Sequence, residues 1–171
     1  FDDAAVIDAL PRATVMMGVP TFYTRLLANP RFSREVAAHM RLFISGSAPL
    51  LSSTFAEFEA RSGQRILERY GMSEAVIITT NPLHGERIAG SVGHPLPGVE
   101  LRIAGGDTGM IEIRGPSLFS GYWHMPDKTA EEFTADGFFK TGDVARCDPD
   151  GRVLISGRAK DLVISGGYNV Y

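Results

Sequence analysis

The seven residues from Glu68 to Glu74 bring together side chains that suit the parts of a magnesium nucleotide. Tyr70 offers a flat ring for a purine, and Gly71 lets the backbone approach a bulky ligand because it has no Cβ. Ser73 can donate to a phosphate oxygen, and Glu74 is a hard oxygen ligand of the kind that Mg²⁺ takes. The same stretch is also typical of a helix start with an N-cap. Its meaning therefore depends on the other motifs of the chain.

Four further motifs contain residues that can contact a ligand. Gly46-Ser47-Ala48-Pro49 follows a predicted strand and either presents bare backbone to a planar ligand or is an ordinary strand-to-helix turn. Thr141-Gly142-Asp143 places a carboxylate where it can bind ribose hydroxyls, although a structural Asx-turn would use the same residues. Gly157–Asp161 is a charged break between two strands, and Ser165-Gly166-Gly167-Tyr168 is a flexible loop. Each motif is weak evidence on its own.

Composition limits the class of protein. The chain has 171 residues, of which 44% are hydrophobic and 22% charged, as is typical of a globular protein with one or two domains. A net charge of −3 and the absence of a basic run argue against a nucleic-acid or anionic-membrane partner. No stretch approaches the roughly 18 apolar residues of a membrane span. The single cysteine, Cys147, excludes an intrachain disulfide and fits a cytoplasmic location.

The two ends of the sequence predict a piece of a longer protein. The chain starts at Phe1 without a signal peptide, and it stops at Tyr171 within a predicted strand.

The first ninety residues alternate between helix and strand patterns. Asp3 is predicted to cap the first helix and Ser52 or Ser53 the fourth, with Gly63 just past the end of that fourth helix. This alternation predicts a parallel sheet covered by helices. The predicted helices are 3–10, 21–28, 33–40 and 52–61, and the predicted strands are 14–17, 42–45 and 66–68.

The pattern changes at about residue 81, where glycine and proline become frequent and short period-2 runs follow. Runs at 100–103 and 110–114, together with a hairpin at 146–155, predict a mostly antiparallel, β-barrel-like subdomain. A single helix is predicted there, at 128–133. The predicted fold class is therefore α/β, with an α/β subdomain at 1–89, a β subdomain at 90–157 and a hinge with the start of another domain at 158–171.

In their order and spacing, these motifs resemble the adenylate-forming acyl-CoA synthetase family, and the resemblance covers essentially the whole chain. It implies that the chain is a fragment of the large N-terminal domain of such an enzyme. In this family an acid attacks the α-phosphate of ATP to give an acyl-adenylate and pyrophosphate, and the thiol of coenzyme A then displaces AMP. The matching motifs are Ser45-Gly46-Ser47-Ala48-Pro49-Leu50, Tyr70-Gly71-Met72-Ser73-Glu74, Gly115-Pro116 with Gly121-Tyr122-Trp123, Thr141-Gly142-Asp143 and Gly157-Arg158-Ala159-Lys160-Asp161.

The resemblance also implies roles for single residues. Tyr70 would stack on adenine, Ser73 would bond to the α-phosphate, Glu74 would hold Mg²⁺, and Asp143 with Arg158 would hold the ribose. Ser73 and Glu74 would act in catalysis. The whole ATP and AMP site implied in this way comprises Gly46, Ser47, Ala48, Pro49, Glu68, Arg69, Tyr70, Gly71, Met72, Ser73, Asp143 and Arg158.

Lys160 matches the hinge about which a small C-terminal domain swings between the two half-reactions. Ser165, Gly166 and Gly167 would then form a loop on the side of coenzyme A. The family more often has threonine where this chain has Ser73, but the hydroxyl is retained. Its phosphate loop lies upstream of these residues and its catalytic lysine downstream, so we expect this piece alone to be inactive.

The acid is predicted from a closer resemblance. Gly18–Arg25 and Glu68-Arg69-Tyr70 are similar to the malonyl-CoA synthetase branch, in which two arginines hold the distal carboxylate of malonate. Arg25 and Arg69 occupy the matching places, and a guanidinium pairs with a carboxylate in a bidentate way. Alternatively, Arg25 is a solvated helix residue and Arg69 pairs with Glu68. The enzyme would then be a ligase for another short, medium-chain or aryl acid.

Two interpretations from other classes stay open. The chain could belong to the adenylation domain of a carrier-protein system, or to a noncatalytic structural protein. The second leaves Ser73, Glu74 and Asp143 without an explanation.

Overall fold

The structure is a computed structural model that describes residues 1–161 in full and the backbone of residues 163–165 and 168–170. The contacts divide the chain into two compact units, each of which is built from two segments. The first unit is Phe1–Gly71 with Thr80–Gly93, and the second is Met72–Thr79 with His94–Tyr171. The domain boundaries expected at 89/90 and 157/158 stay predictions.

The first unit alternates between helices and strands, as the sequence predicts. Its strands run parallel, with Val15 opposite Leu42 in the first pair and Ile44 opposite Leu67 in the second. The predicted parallel sheet is therefore confirmed. The elements are α1 (Asp3–Ala9), a 3₁₀ turn (Leu10–Arg12), β1 (Val15–Gly18), α2 (Pro20–Ala28), α3 (Arg34–Ala37), β2 (Leu42–Ser45), α4 (Ser52–Ser62) and β3 (Leu67–Met72, its last residue in the second unit).

The core of the first unit is centred on Phe58 of α4, which is fully buried. Three other aromatic rings contact Phe58: Tyr23 edge-on at 5.4 Å between centroids, Phe43 edge-on at 4.9 Å and Phe32 tilted at 5.3 Å. Such pairs contribute about 0.5–1.5 kcal/mol each beyond their buried area. They hold α2 and α4 on the sheet, so the carboxyl ends of its strands have a defined position.

Two predicted helix starts are wrong. Asp2, not Asp3, caps α1, because its Oδ1 accepts the N–H of Ala5 at 3.0 Å. The Asp3 carboxylate instead accepts the side-chain amide of Asn29 at 2.6 Å. Leu51 holds the cap position of α4 in extended conformation and makes no side-chain cap bond.

One predicted helix end is confirmed and another is wrong. Gly63 follows α4 with φ 75°, in the left-handed conformation that favours glycine, as predicted. Helix α3 spans only Arg34–Ala37, and Ser33 caps it through a bond from the N–H of Val36 to its Oγ at 3.4 Å. The predicted 33–40 helix is therefore too long.

The second unit contains the antiparallel sheet predicted for the later part of the chain. Four of its described strands pair in sequence order and form an open antiparallel sheet: Glu100–Ala104, Thr108–Arg114, Phe139–Cys147 and Val153–Arg158. The α/β fold class with a mostly antiparallel second half is confirmed. The elements are β4 (Val76–Thr80, its last residue in the first unit), β5 (His94–Pro95), β6 (Glu100–Ala104), β7 (Thr108–Arg114), α5 (Pro126–Glu132), β8 (Phe139–Cys147), β9 (Val153–Arg158), a 3₁₀ turn (Ala159–Asp161), β10 (Val163–Ser165) and β11 (Tyr168–Val170).

The hairpin predicted at 146–155 is confirmed by the pairing of Cys147 with Val153. Strand β8 nevertheless begins at Phe139, well before the predicted hairpin. A glycine with φ 77° at position 142 and a register shift after Val144 interrupt the period-2 pattern, which hides the strand in the sequence.

In the part of the chain that the structure describes, no helix has the length and apolar composition needed to cross a lipid bilayer.

Candidate functional site

Ser73 and Glu74 lie at the corner of a tight turn in the second unit. The N–H of Ala75 donates to the carbonyl of Met72 at 3.1 Å, which places the two residues at the central positions of a four-residue turn. The turn connects β3 to β4 and no helix begins there, so the N-cap interpretation of this stretch is wrong. Ser73 is exposed and Glu74 is half-buried. A hydroxyl and a carboxylate are thus presented side by side.

The segment from Phe119 to Tyr122 holds Glu74 at two points. The N–H of Phe119 donates to the carbonyl oxygen of Glu74 at 2.7 Å. The hydroxyl of Tyr122 donates to Oε1 of Glu74 at 3.1 Å. Within the described residues, Oε2 of Glu74 accepts no hydrogen bond. One carboxylate oxygen is therefore held and the other is available to a ligand.

The sequence predicts no role for Tyr122. Its motif, Gly121-Tyr122-Trp123, is part of the family resemblance, but nothing in the sequence links it to a carboxylate 48 residues away. Burial raises the pKa of Tyr122, and the hydrogen bond to Glu74 raises that pKa further. The hydroxyl therefore keeps its proton and acts as a donor to Glu74.

The donor set at the turn fits the Mg²⁺ that the family resemblance implies. Glu74 supplies one hard oxygen, and no group of three or more histidine, cysteine or acidic residues that could hold a metal exists among the described residues. Mg²⁺ typically takes one or two carboxylates together with substrate phosphates, whereas an all-protein cage is unusual for it. A single carboxylate with one free oxygen meets that requirement.

In the first unit, the ends of β1 and β2 lie beside Arg69 of β3. The N–H of Gly46 donates to the carbonyl of Gly18 at 3.3 Å. A Cβ at Gly46 would stand 3.3 Å from the carbonyl oxygen of Arg69 and 3.5 Å from its Cγ. Glycine at position 46 therefore allows the turn after β2 to approach Arg69 on β3. Ser47, Ala48 and Pro49 follow on the surface, with Ser47 in the left-handed region at φ 68°.

Glu68 is deeply buried inside the first unit, only 5% exposed. Burial raises the pKa of its carboxyl group to about 7, although the N–H of Gly90, which donates to Oε1 at 3.1 Å, partly opposes the shift. The carbonyl of Glu68 accepts both the backbone N–H and the side-chain amide of Asn81. These contacts hold β3 from within the unit, and a contact of Glu68 with a nucleotide stays a prediction.

Tyr70 and Arg25 have environments that bear on their predicted roles. Tyr70 is 9% exposed, so little of its surface is free for a purine in this conformation. Arg25 lies on the exposed side of α2, and its Nη1 donates to the carbonyl of Phe1 at 3.1 Å. Stacking by Tyr70 and carboxylate binding by Arg25 and Arg69 stay predictions. Gly71 and Met72, next along the motif, are half-buried.

Asp143 and Arg158 are brought together, as expected for two residues that would bind one ribose. They are direct partners across β8 and β9, and Nε of Arg158 lies 3.5 Å from Oδ1 of Asp143. Oγ1 of Thr141 accepts the N–H of Asp143 at 3.1 Å, so the Thr141 side chain closes a local turn at this motif.

The remaining predicted residues lie at or beyond the end of the fully described part. Lys160 is in the 3₁₀ turn Ala159–Asp161, directly after β9. Ser165 is the last residue of β10, whereas Gly166 and Gly167 lie outside the described residues.

Comparison with known proteins gives one consistent result. The sequence pattern of the family described as AMP-binding enzyme matches residues 1–123. A malonate–CoA ligase from Arabidopsis thaliana is 44% identical over 171 aligned residues, which cover 92% of this chain and 28% of that protein. The ATP-bound crystal structure of MatB from Rhodopseudomonas palustris is 55% identical and superposes with a TM-score of 0.96, covering 100% of this chain and 36% of that one.

A further solved structure, a ternary product complex of a malonyl-CoA ligase with methylmalonyl-CoA and AMP, is 45% identical with a TM-score of 0.87. The superposition covers 99% of this chain and 39% of the chain in that structure. The chain thus corresponds to less than two fifths of each of these relatives. Because the family pattern extends over well more than half of the 171 residues, the chain belongs to the AMP-binding enzyme family, the adenylate-forming acyl-CoA synthetases.

Proposed function

We propose that the full-length protein containing this chain is an AMP-forming acid–CoA ligase whose substrate is malonate. The observation that carries the proposal is the turn with Ser73 and Glu74, in a chain 44% identical to a malonate–CoA ligase. In the first half-reaction, a malonate carboxylate attacks the α-phosphate of ATP and releases pyrophosphate. In the second, the thiol of coenzyme A attacks the acyl carbon and releases AMP.

The turn supplies two of the groups that the first half-reaction needs. The Ser73 hydroxyl donates to the α-phosphate, and Oε2 of Glu74 would hold Mg²⁺. The ion would supply positive charge beside the phosphate oxygens. Because one turn carries both groups, their separation changes little when the ligand binds.

The ribose is held by Asp143 of β8 and Arg158 of β9. Asp143 accepts hydrogen bonds from the vicinal ribose hydroxyls, and Arg158, whose Nε lies 3.5 Å from Oδ1 of Asp143, orients that carboxylate. Adenine is placed between Tyr70 and the Gly46–Pro49 turn.

The malonate proposal depends on Arg25 and Arg69. An unpaired carboxylate is costly to remove from water, so an enzyme that takes a dicarboxylate must supply cationic partners. Arginine is suited to this because its planar fork pairs with both carboxylate oxygens. Arg69 follows Glu68 on β3, next to the Gly46 turn, and Arg25 is on α2 with an exposed side chain.

The second half-reaction would use the later part of the chain. Rotation about Lys160 would bring the loop with Ser165, Gly166 and Gly167 to the coenzyme A side. The cytoplasmic location, like these roles, stays a prediction.

The experiment is a product analysis of the full-length protein with ATP, Mg²⁺, coenzyme A and malonate. Chromatography should find AMP and pyrophosphate, and mass spectrometry should find malonyl-CoA. Parallel reactions with propionate, octanoate and a benzoate-type acid test the alternative substrates, and their kcat/KM values should be lower. ADP as the only nucleotide product would refute the AMP-forming reaction, and a higher kcat/KM for one of the monocarboxylates would refute malonate.

A further inference from the structure

The proposed function gives no role to the motif Gly115-Pro116…Gly121-Tyr122-Trp123. This motif nevertheless contains Tyr122, whose hydroxyl donates to the carboxylate of Glu74. We propose that Tyr122 is a positioning residue, which holds Oε1 of Glu74 so that Oε2 stays available to the metal of a bound Mg²⁺–nucleotide. This inference rests on the proposed role of Glu74 as the metal ligand.

The backbone on both sides of this contact is tied together. The N–H of Phe119 donates to the carbonyl of Glu74 at 2.7 Å, so the turn and the segment from Phe119 to Tyr122 cannot move independently. Phe119 is itself anchored, because its ring meets that of the buried Phe139 edge-on at 5.3 Å and stacks on Phe133 at 6.2 Å. The attachment point of the Glu74 side chain is therefore fixed relative to Tyr122.

Tyr122 is also held by its own neighbours. Its N–H donates to Oγ1 of Thr129 at 2.9 Å, and its ring meets Phe119 edge-on at 4.8 Å. Gly121 makes the approach of Thr129 possible, since a Cβ at position 121 would lie 2.8 Å from Cγ2 of Thr129. The hydroxyl is thus presented to Glu74 by a chain of contacts that runs from α5 through Tyr122.

The physical consequence concerns the orientation of the carboxylate. Without such a contact, a half-buried glutamate on a turn samples several rotamers. Ligand binding then loses affinity, because fixing one rotamer costs conformational entropy. A hydrogen bond to one oxygen removes part of that freedom before the ligand arrives, which is how partners behind a metal ligand raise metal affinity. Such partners typically change metal affinity by about 10–100-fold when they are removed.

The test compares nucleotide binding with and without metal in the full-length protein. Tyr122→Phe removes the hydroxyl and keeps the ring. Isothermal titration calorimetry should find the affinity for ATP in the presence of Mg²⁺ reduced by about tenfold, whereas the affinity for ATP in EDTA should be unchanged. Mn²⁺, followed by electron paramagnetic resonance in the presence of ATP, should show the same loss. Raising the concentration of Mg²⁺ should restore the adenylation rate of Tyr122→Phe.

Two sets of control variants separate positioning from folding. Trp123→Phe changes the neighbouring aromatic residue of the same motif, which is 86% exposed, and should leave both affinities unchanged. Thr129→Val removes the acceptor of the Tyr122 N–H and should weaken Mg²⁺-dependent binding, whereas Thr129→Ser keeps the acceptor and should restore it.

The outcomes distinguish this inference from the proposed function. If Tyr122→Phe binds ATP with Mg²⁺ as tightly as the wild type, or loses the same factor in EDTA, Tyr122 is not a positioning residue. The production of AMP and malonyl-CoA by the wild type would still stand in that case. If metal does not change ATP binding by the wild type, the role of Glu74 fails and this inference fails with it.

Discussion

The N–H of Gly90 donates to Oε1 of Glu68 at 3.1 Å, and it is the main contact that opposes the effect of burial on this carboxyl group. The effect of burial is larger than that of the hydrogen bond, so the pKa of Glu68 rises from 4.5 to about 7. The folded chain therefore binds a proton at Glu68 over a pH range in which the unfolded chain has released it. Stability from this group is complete below about pH 4.5 and is lost as pH rises through about 7.

We expect Glu68→Gln to remove this pH dependence, because the amide stays neutral at every pH. Between pH 5 and pH 8, the stability of the wild type relative to Glu68→Gln should fall by up to about 3 kcal/mol. Urea unfolding at several pH values measures the difference. Glu57→Gln, on the exposed surface of α4, is the control. A constant difference between wild type and Glu68→Gln across this range would contradict the assignment.

Arg61 should be important for the stability of the first unit. Its guanidinium donates to the carbonyls of Phe32 and Asn29, both at 2.7 Å, and also to that of Leu27, which together close the end of α2. Arg61→Met leaves these acceptors without their charged donor and should lower the free energy of unfolding by about 2–3 kcal/mol.

The control for Arg61 is Arg65→Met, which removes one half-exposed ion pair with Glu59. It should lower the free energy of unfolding by no more than about 1 kcal/mol. Equal losses in urea unfolding of the two variants would show that the three carbonyl contacts are not formed in solution.

Val76 follows the Ser73–Glu74 turn with φ 59°, a conformation that is unfavourable for a β-branched residue. Its side chain is 63% exposed, so replacing it sacrifices little burial. Val76→Asn should stabilise the chain by about 1 kcal/mol, because asparagine tolerates the left-handed region. The control is Leu83→Asn. Leu83 is 49% exposed and does not have a positive φ, so this substitution should not raise the melting temperature. A lower melting temperature for Val76→Asn would contradict the strain.

Arg25 tests the choice of substrate. Removing one partner of a desolvated charge pair costs about 2–5 kcal/mol, so Arg25→Met should reduce kcat/KM for malonate by about 30-fold or more. Propionate, which lacks the second carboxylate, should lose much less. Arg31→Met removes only an exposed ion pair with Asp8 and should change neither value. The malonate proposal loses its physical basis if both acids fall by the same factor in Arg25→Met.

Lys160 tests the separation of the two half-reactions. Proline fixes φ near −65° and restricts rotation, so Lys160→Pro in the full-length protein should keep ATP–pyrophosphate exchange and lose thioester formation. Lys160→Ala keeps the rotational freedom of the backbone and should retain more thioester formation than Lys160→Pro. If both half-reactions decline together in Lys160→Pro, Lys160 is not the pivot.

The amino-acid sequence by itself determined the features that depend on near neighbours. Apolar runs followed by small residues predicted β2 and the Gly46 turn, and Gly63 predicted the end of α4. The order of five short motifs was enough to indicate the family. These features depend on backbone preferences and periodicity within a few residues, which a sequence displays directly.

Only the tertiary structure decided which distant groups meet. Tyr122 reaches Glu74 across 48 residues, and Asp2 rather than Asp3 caps α1 because Asn29 engages the Asp3 side chain. Strand β8 begins at Phe139, because it pairs with β7 on both sides of the glycine at 142 that breaks its pattern. A hydrogen bond or a strand pairing of this kind depends on the path of the whole chain. The secondary-structure preferences of neighbouring residues do not determine that path.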